Sequence, residues 1–300
     1  FYGQLQYALS KQLFITGGLR YDYQQSKAEV SGEYKPDQSP QGFPTQADTS
    51  GKTNYSALSP MLSFAYHPTE HSDIYISYNR GYRTGGLTQL STDPSQPPLY
   101  PYKAEYSNNY ELGIKNQFFQ HRLTANLAVF YTQVKDAQVP TLILPDAITV
   151  TRNAGSLKSR GFEADFKALI IPGLEAAYNL GYTKAEYTNL KLSSNGSAED
   201  LDGNRQIFTP DLTSMLALQY GRSLNRTHSV HAFIRGEWLY LGKQYFDLAN
   251  QLSQSSYQLL NASLGLTWKQ ISLSYWMRNL TNTRYISYAY DFGAAKLGDP

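Results

Sequence analysis

Long loops and short turns alternate along the chain, and this rhythm limits the possible folds more than any other feature. About twelve runs with an apolar residue at every second position are joined first by a tight turn, then by a long polar loop, then by a tight turn again. In a transmembrane β-barrel, successive connections lie on opposite sides of the membrane, so one side can be trimmed while the other is elaborated. The rhythm therefore predicts an all-β, antiparallel, up-and-down transmembrane barrel.

Each predicted strand shows a period of two. In the second strand, for example, Leu13, Ile15 and Leu19 alternate with Thr16 and Arg20. The predicted strands cover residues 1–9, 13–23, 57–66, 73–83, 106–115, 123–135, 161–168, 174–187, 212–220, 230–240, 259–268 and 271–279. Residues 24–56, rich in Gly, Pro, Ser and Gln, are predicted to form the first long loop.

Composition agrees with a barrel. The chain is 14% aromatic and contains 26 Tyr, the side chain best suited to a membrane interface. The mean hydropathy is −0.47, and no apolar run approaches the roughly 18 residues of a membrane helix. A net charge of only +2, with scattered Lys and Arg, predicts no nucleic-acid partner. The absence of Cys is compatible with an exported protein that folds without disulfides.

Short motifs, in a fixed order, resemble the barrel signatures of TonB-dependent outer-membrane receptors. Each is weak alone, but the ordered set covers the chain. The motifs are Gly18-Leu19-Arg20-Tyr21-Asp22, Leu58-Ser59-Pro60, Tyr78-Asn79-Arg80-Gly81-Tyr82-Arg83-Thr84-Gly85-Gly86, Tyr110-Glu111-Leu112-Gly113-Ile114-Lys115, Ala128-Val129-Phe130-Tyr131, Asn153-Ala154-Gly155, Gly161-Phe162-Glu163 and Trp276-Met277-Arg278-Asn279-Leu280-Thr281-Asn282-Thr283-Arg284-Tyr285.

The resemblance implies a bacterial outer-membrane barrel of about 22 strands that holds an N-terminal plug and imports scarce nutrients, most often ferric siderophores. Residues 1–300 would then be one partial barrel domain, roughly strands ten to twenty-one, without the plug and the last strand. The implied partners are outer-membrane lipid, a ferric siderophore or similar chelate, and the TonB energy-coupling complex, reached through the missing N-terminal part. Because Phe1 already lies in a predicted strand, we expect the chain to be a piece of a longer protein.

The alternation places seven charged residues on the face that would line the barrel lumen. We expect charges of both signs to pair there across neighbouring strands, as a ladder lining a wet interior rather than as a ligand site. They are Arg20, Asp22, Glu111, Lys115, Glu163, Asp165 and Lys167.

Ligand capture is predicted to belong to the long loops. Aromatic faces together with Arg and amide groups suit a planar, oxygen-rich anionic chelate, since Arg offers a fixed fork of donors and Tyr adds contact area with little loss of entropy. The alternative is that these Tyr form an outer aromatic girdle and the polar residues only solvate the loops. The candidates are Tyr82, Arg83, Tyr100, Tyr102, Gln138, Arg152, Tyr245, Phe246, Tyr288 and Tyr290, with Gln206 beside them.

No catalytic, cofactor or metal site is predicted. The run from His67 to His71 spells H-x-x-E-H, but Pro68 and the flanking strands predict a short turn, whereas the zinc chemistry needs both His on one helical face. Three function classes stay open. The first is an energy-coupled receptor for a ferric siderophore or for another cargo such as cobalamin, haem or an oligosaccharide. The second is a passive porin-like channel, and the third is a soluble ligand-binding sandwich or propeller.

Overall fold

A computed structural model of the chain describes residues 1–35, 37, 41–89, 99–143, 148–153, 155–194, 197–225, 227 and 229–289. The strands among these residues are β1 (Tyr2–Ala8), β2 (Leu13–Tyr34), β3 (Phe43–Thr69), β4 (Ser72–Arg83), β5 (Gly86–Gln89), β6 (Leu99–Tyr102), β7 (Glu105–Phe118), β8 (Leu123–Lys135), β9 (Gln138–Ile143), β10 (Ile148–Asn153), β11 (Ser156–Ile171), β12 (Leu174–Thr188), β13 (Lys191–Ser194), β14 (Ser197–Asp200), β15 (Leu212–Ser223), β16 (Val230–Leu241), β17 (Gln244–Tyr245), β18 (Ser253–Gln254), β19 (Tyr257–Trp268) and β20 (Ile271–Met277).

Twelve long strands form one antiparallel sheet in which neighbours in sequence are neighbours in space. Their order is β1-β2-β3-β4-β7-β8-β11-β12-β15-β16-β19-β20. The eight short strands pair in sequential hairpins, and all eight lie within the long connections. The predicted twelve strands and up-and-down order are thus confirmed. No helix among the described residues is long and apolar enough to cross a membrane.

The first predicted long loop is wrong in its bounds. Strands β2 and β3 continue far into residues 24–56, with pairs from Gln24↔Tyr55 to Val30↔Thr49, and after a bulge the two strands end at Tyr34↔Phe43. The extension escaped prediction because both of its faces are polar, so it lacks the apolar row that marks a half-buried strand. Pairing between the two strands nevertheless satisfies the backbone N–H and C=O groups of the extension, as it does in the rest of the sheet.

One face of the sheet, here called the apolar face, carries continuous rows of large apolar side chains. The central row is built entirely from register partners and crosses eight strands. Most of its members are exposed rather than packed against a second layer. The apolar face is therefore free to contact lipid, and the described residues place no second sheet against it to form a sandwich. The row runs Ile15, Phe64, Ile76, Leu112, Val129, Phe162, Tyr182 and Leu212.

Two aromatic belts border the apolar face. On the long-loop side, Tyr78, Tyr110 and Tyr131 are register partners. On the short-turn side, Phe118 and Trp268 are exposed at the strand ends. Tyr110 and Phe118 are eight residues apart on β7, about 27 Å along the strand. Tilted by about 40°, that length spans about 21 Å between the two rings, most of the ~25 Å of a transmembrane apolar band.

The opposite face, here called the polar face, holds the seven predicted charges, but these do not form ion pairs across strands as expected. Among the described residues, the Arg salt bridges of this face run along single strands: Arg20 Nη2 lies 2.7 Å from Asp22 Oδ1, and Arg235 Nη2 lies 2.6 Å from Glu237 Oε1. The register explains these two pairs, since it sets Arg20 opposite Ser59 and Arg235 opposite Gln219 and Ser263. Lys115 lies opposite Asp73, but its Nζ lies 5.1 Å from the centre of the Tyr75 ring.

Neutral donors make the lateral contacts of the polar face instead. The Tyr75 hydroxyl donates to Glu111 Oε1 at 2.6 Å. The side-chain amides of Asn126 and Asn179, on the two strands flanking β11, both donate to the carboxylate of Asp165. The polar face is therefore held across strands by hydrogen bonds to carboxylates rather than by charge pairs.

Candidate ligand-binding site

The long connections pack together above the loop-side end of the sheet around a small apolar core. Leu190 is fully buried, and Val139, Leu157, Tyr187 and Leu201 surround it. These residues come from β9, β11, β12 and the connection that follows β12. Burial raises the pKa of Tyr187, which lies beyond the loop-side belt, to about 12. Its hydroxyl therefore stays neutral at physiological pH. The core holds the connection between β8 and β11 against the one after β12.

Gln138 clamps three segments of this loop assembly. The side chain is buried, and its Nε2 donates to the carbonyl oxygens of Thr84 at 2.8 Å and Lys103 at 3.0 Å. Its backbone N–H donates to Glu105 Oε2 at 2.7 Å. Both amide hydrogens of Gln138 are thus engaged, and the residue positions the loops rather than offering donors to a ligand.

Asn153 and Tyr55 complete the clamp. Asn153 Nδ2 donates to the carbonyl oxygens of Lys103 at 2.9 Å and Asp136 at 2.8 Å. The Tyr55 hydroxyl, on the extended part of β3, donates to the Tyr102 carbonyl at 2.7 Å. Gly85 lies where a Cβ would overlap both the Tyr55 ring and that carbonyl, so only glycine permits this approach.

A second aromatic group forms on the other side of the loop assembly. Phe208 stacks on Tyr288 at 5.6 Å between ring centroids and lies 5.8 Å from buried Phe246. Lys243 Nζ lies 4.6 Å from the centre of the Tyr245 ring, a cation–π contact. Asn250 binds the backbone of Arg205 twice and so ties the connection between β16 and β19 to the one after β12. These contacts order the segment that carries Tyr245 and Phe246.

The structure separates the ten predicted ligand residues by exposure. Gln138 and Phe246 are buried, Tyr82, Tyr102, Arg152 and Tyr245 are half-buried, and Tyr290 lies outside the described residues. Tyr82 shares a face with Tyr78 and Tyr106 by register, which is the belt position that the alternative interpretation gave it. Arg83, Tyr100 and Tyr288 are exposed at the loop side. Among the predicted residues that the structure describes, these three have exposed side chains.

Below the loops, the polar face forms a concavity of about 610 Å³ across β1 to β4. Arg20, Asp22, Ser59 and Asn79 are among its polar lining residues. Its size falls within the usual range of small-molecule sites. The concavity thus brings a cation, a carboxylate and an amide together on the polar face.

Sequence reasoning missed Glu105, Asn153 and Tyr55, which hold the loops in place. Asn153 was visible only as part of the Asn153-Ala154-Gly155 motif, and no local pattern marks the other two. Within the described residues, no group of three or more His, Cys, Asp or Glu could hold a metal ion. His67 lies 3.6 Å from Asp73 while His71 packs edge-on against His121, so the two His of the H-x-x-E-H run point to different partners.

The chain matches a family model described as TonB dependent receptor-like, beta-barrel, over residues 1–280. It is 29% identical over 303 aligned residues to the pesticin receptor of Yersinia enterocolitica, covering 98% of this chain and 40% of that protein. It is 26% identical over 247 residues to a probable TonB-dependent siderophore receptor, PiuA, of Acinetobacter baumannii, covering 80% of this chain and 32% of that protein.

Among solved structures, the ferric yersiniabactin uptake receptor FyuA of Yersinia pestis aligns with a TM-score of 0.77 and 27% identity. The alignment covers 98% of this chain and 42% of that one. The chain thus spans about two-fifths of the length of the pesticin receptor and of FyuA, and about a third of the length of PiuA.

Proposed function

The chain belongs to the TonB-dependent receptor β-barrel family, and from this premise we propose that it forms part of the wall and loops of a bacterial outer-membrane receptor that imports a ferric siderophore. The observation that carries the proposal is the structural match over 98% of the chain to FyuA, a ferric yersiniabactin uptake receptor. The apolar face would contact outer-membrane lipid, and the polar face would line the lumen. Energy would come from the TonB complex, and the protein would catalyse no reaction.

The loop geometry supports an anionic chelate as cargo. Arg83 is exposed at the end of β4, and Tyr100 is exposed in the β5–β6 hairpin next to it. The guanidinium of an Arg forms paired, charge-assisted hydrogen bonds with carboxylate or phenolate oxygens, and a Tyr ring covers the flat side of such a ligand. We propose that Arg83, Tyr100 and Tyr288 contact the cargo, whereas Gln138 and Phe246 order the loops that present them.

Uptake of radioactive iron by a receptor-deletion strain tests this function. The strain should regain uptake from at least one purified ferric siderophore when it carries the full-length gene, and should lose that uptake when the TonB complex is absent. Arg83→Ala should weaken binding of that siderophore about 10- to 150-fold, the equivalent of one charge-assisted hydrogen bond. Arg222→Ala, which removes an exposed Arg at the short-turn end of β15, is the matched control and should leave affinity unchanged.

Two results would overturn the proposal. Uptake of cobalamin, haem or an oligosaccharide, with no response to any ferric siderophore, would assign another cargo to the same barrel. A large, steady conductance of the purified full-length protein in planar bilayers, without the TonB complex, would indicate a passive porin instead.

A further inference from the structure

The apolar face carries a groove directly beneath the loop-side aromatic belt. Its volume is about 440 Å³, and its apolar lining includes Leu62, Phe64, Ile76, Leu112 and Val129. Tyr78 and Tyr110 close the upper end, with their ring centroids 5.2 Å apart. Hydrogen bonds hold the belt residues in place, since the Tyr78 hydroxyl donates to Asn108 Oδ1 at 2.8 Å. The groove is thus a fixed depression with an apolar floor and a polar upper rim.

Five cations lie on the same face at or above the level of the belt, two on strands that line the groove and three on the neighbouring strands β11 and β12. By register, the belt row that contains Tyr131 continues into Arg160 and Lys184. Two further rows on the loop side add Arg80, Lys158 and Lys135. Neighbouring strands are about 4.8 Å apart, so Arg160 and Lys184 lie side by side. The five residues are here called the basic patch.

Little negative charge offsets the basic patch. Its three rows contain a single carboxylate, Glu186, which forms a 2.8 Å salt bridge with Lys184. Arg80 lies 4.8 Å from the centre of the Tyr106 ring. Among the described residues, no acidic side chain forms a salt bridge with Lys135, Lys158 or Arg160, and all three are exposed. Exposed, unpaired cations beside an apolar surface attract anionic lipid head groups.

We propose that the groove and the basic patch form one site for an anionic lipid of the outer leaflet, with an acyl chain in the groove and a phosphate on Lys158 and Arg160. The inference rests on the membrane orientation of the proposed function. The order of the two parts fits a lipid, because the acyl chain must point toward the membrane centre and the phosphate toward the loops. A free anion in solution would need only the cations of the basic patch. The site offers an apolar groove as well, which suits the acyl chain of a lipid.

Lipid retention by the purified full-length receptor, measured by native mass spectrometry, tests the site. The probes are lipid A, a bisphosphorylated and acylated disaccharide, and the same lipid after enzymatic removal of both phosphates. Lys158→Gln/Arg160→Gln should weaken lipid A binding about 30-fold, which corresponds to about 2 kcal/mol. Binding of the dephosphorylated lipid should not change. Ile76→Trp, which fills the groove and keeps every charge, should weaken both lipids.

Lys11→Gln/Lys269→Gln is the matched control, because it removes two exposed cations from turns on the short-turn side. It should shift lipid A binding by less than twofold. Equal binding of lipid A by the parent and by Lys158→Gln/Arg160→Gln would overturn the proposal, as would complete displacement of lipid A by millimolar inorganic phosphate. Iron uptake is read separately in the same strains, so failure of import would leave the lipid result interpretable.

Discussion

Replacing Gln138 by Ala should loosen the loops without unfolding the barrel. The substitution removes two hydrogen bonds from a buried amide, to the carbonyl oxygens of Thr84 and Lys103. A buried hydrogen bond contributes about 0.5 to 1.5 kcal/mol, so the clamp should lose about 1 to 3 kcal/mol. The Lys103 carbonyl still accepts a hydrogen bond from Asn153 Nδ2 in this variant. The larger part of the lost stabilisation therefore falls on the segment around Thr84.

The loss should be local. The equilibrium between closed and open loops should shift about 5- to 150-fold toward the open form, since 1.36 kcal/mol is a factor of ten. The amides of β5 and β6 report this shift, because the hairpin begins two residues after Thr84 and ends one residue before Lys103. In the full-length receptor, hydrogen exchange at these amides should accelerate by that factor, while the amides of β7 and β8 below the belt keep their protection.

Gln25→Ala is the matched control. It also deletes a Gln side chain that donates a hydrogen bond, here to Asn54 Oδ1 at 3.2 Å, but at an exposed position. Exposed substitutions usually change stability by less than about 0.5 kcal/mol, so exchange should change by about twofold at most. If the β5–β6 amides of Gln138→Ala exchanged at the parental rate, the role of Gln138 as a clamp would be refuted.

Three further predictions concern the sheet and the loop core. Ile114→Arg places a cation on the apolar face, midway between the two belts. In urea titrations of the barrel in vesicles, it should lower the free energy of unfolding by about 2 to 4 kcal/mol. Ser63→Arg, on the polar face, should be tolerated, and equal losses for the two variants would contradict the assignment of the faces. Gly161→Ala places a Cβ that overlaps the Tyr182 carbonyl oxygen and lies 2.7 Å from the Phe130 ring. It should therefore lower the yield of folded barrel, measured by heat-modifiable gel mobility. Gly236→Ala, whose Cβ would have nothing within 4 Å, should leave that yield unchanged. Because burial raises the pKa of Tyr187 to about 12, its neutral form stabilises the loop core fully below pH 10, and this contribution is lost as the pH rises from 10 to 12. The absorbance difference at 295 nm between the parent and Tyr187→Phe should therefore titrate near pH 12, and a difference centred near pH 10 would show that the ring is not buried.

The membrane-spanning part of the fold could be predicted from the sequence because one face of every strand meets an apolar environment. The predicted strand at 230–240 differs from β16, Val230–Leu241, by one residue. The same reasoning failed at residues 24–56, where both faces of the hairpin are polar and the period of two carries no hydrophobic signal. Beyond the belts, alternation alone cannot separate a strand from a loop.

The candidate site was predictable in composition but not in arrangement. Arg and Tyr in the long loops indicated ligand chemistry, yet the same residue types also build the clamp and the belt. Which role a side chain takes depends on contacts between segments far apart in sequence, such as the 54 residues between Thr84 and Gln138. Such contacts leave no local pattern. The direction of the Arg20–Asp22 and Arg235–Glu237 ion pairs was likewise set by register, which places neutral residues opposite both Arg side chains.

The continuation of β2 and β3 past the belt sets how far the molecule reaches into its surroundings. Tyr23 and Tyr34 are eleven residues apart on one strand, or about 37 Å along it, and a tilt near 40° leaves roughly 28 Å of height. This paired ribbon therefore carries its tip well beyond the belt, where a large macromolecule could reach it. A peptide tag inserted near Gly42 would stand clear of the bilayer, where an intact cell could be stained without disturbing the conduit beneath.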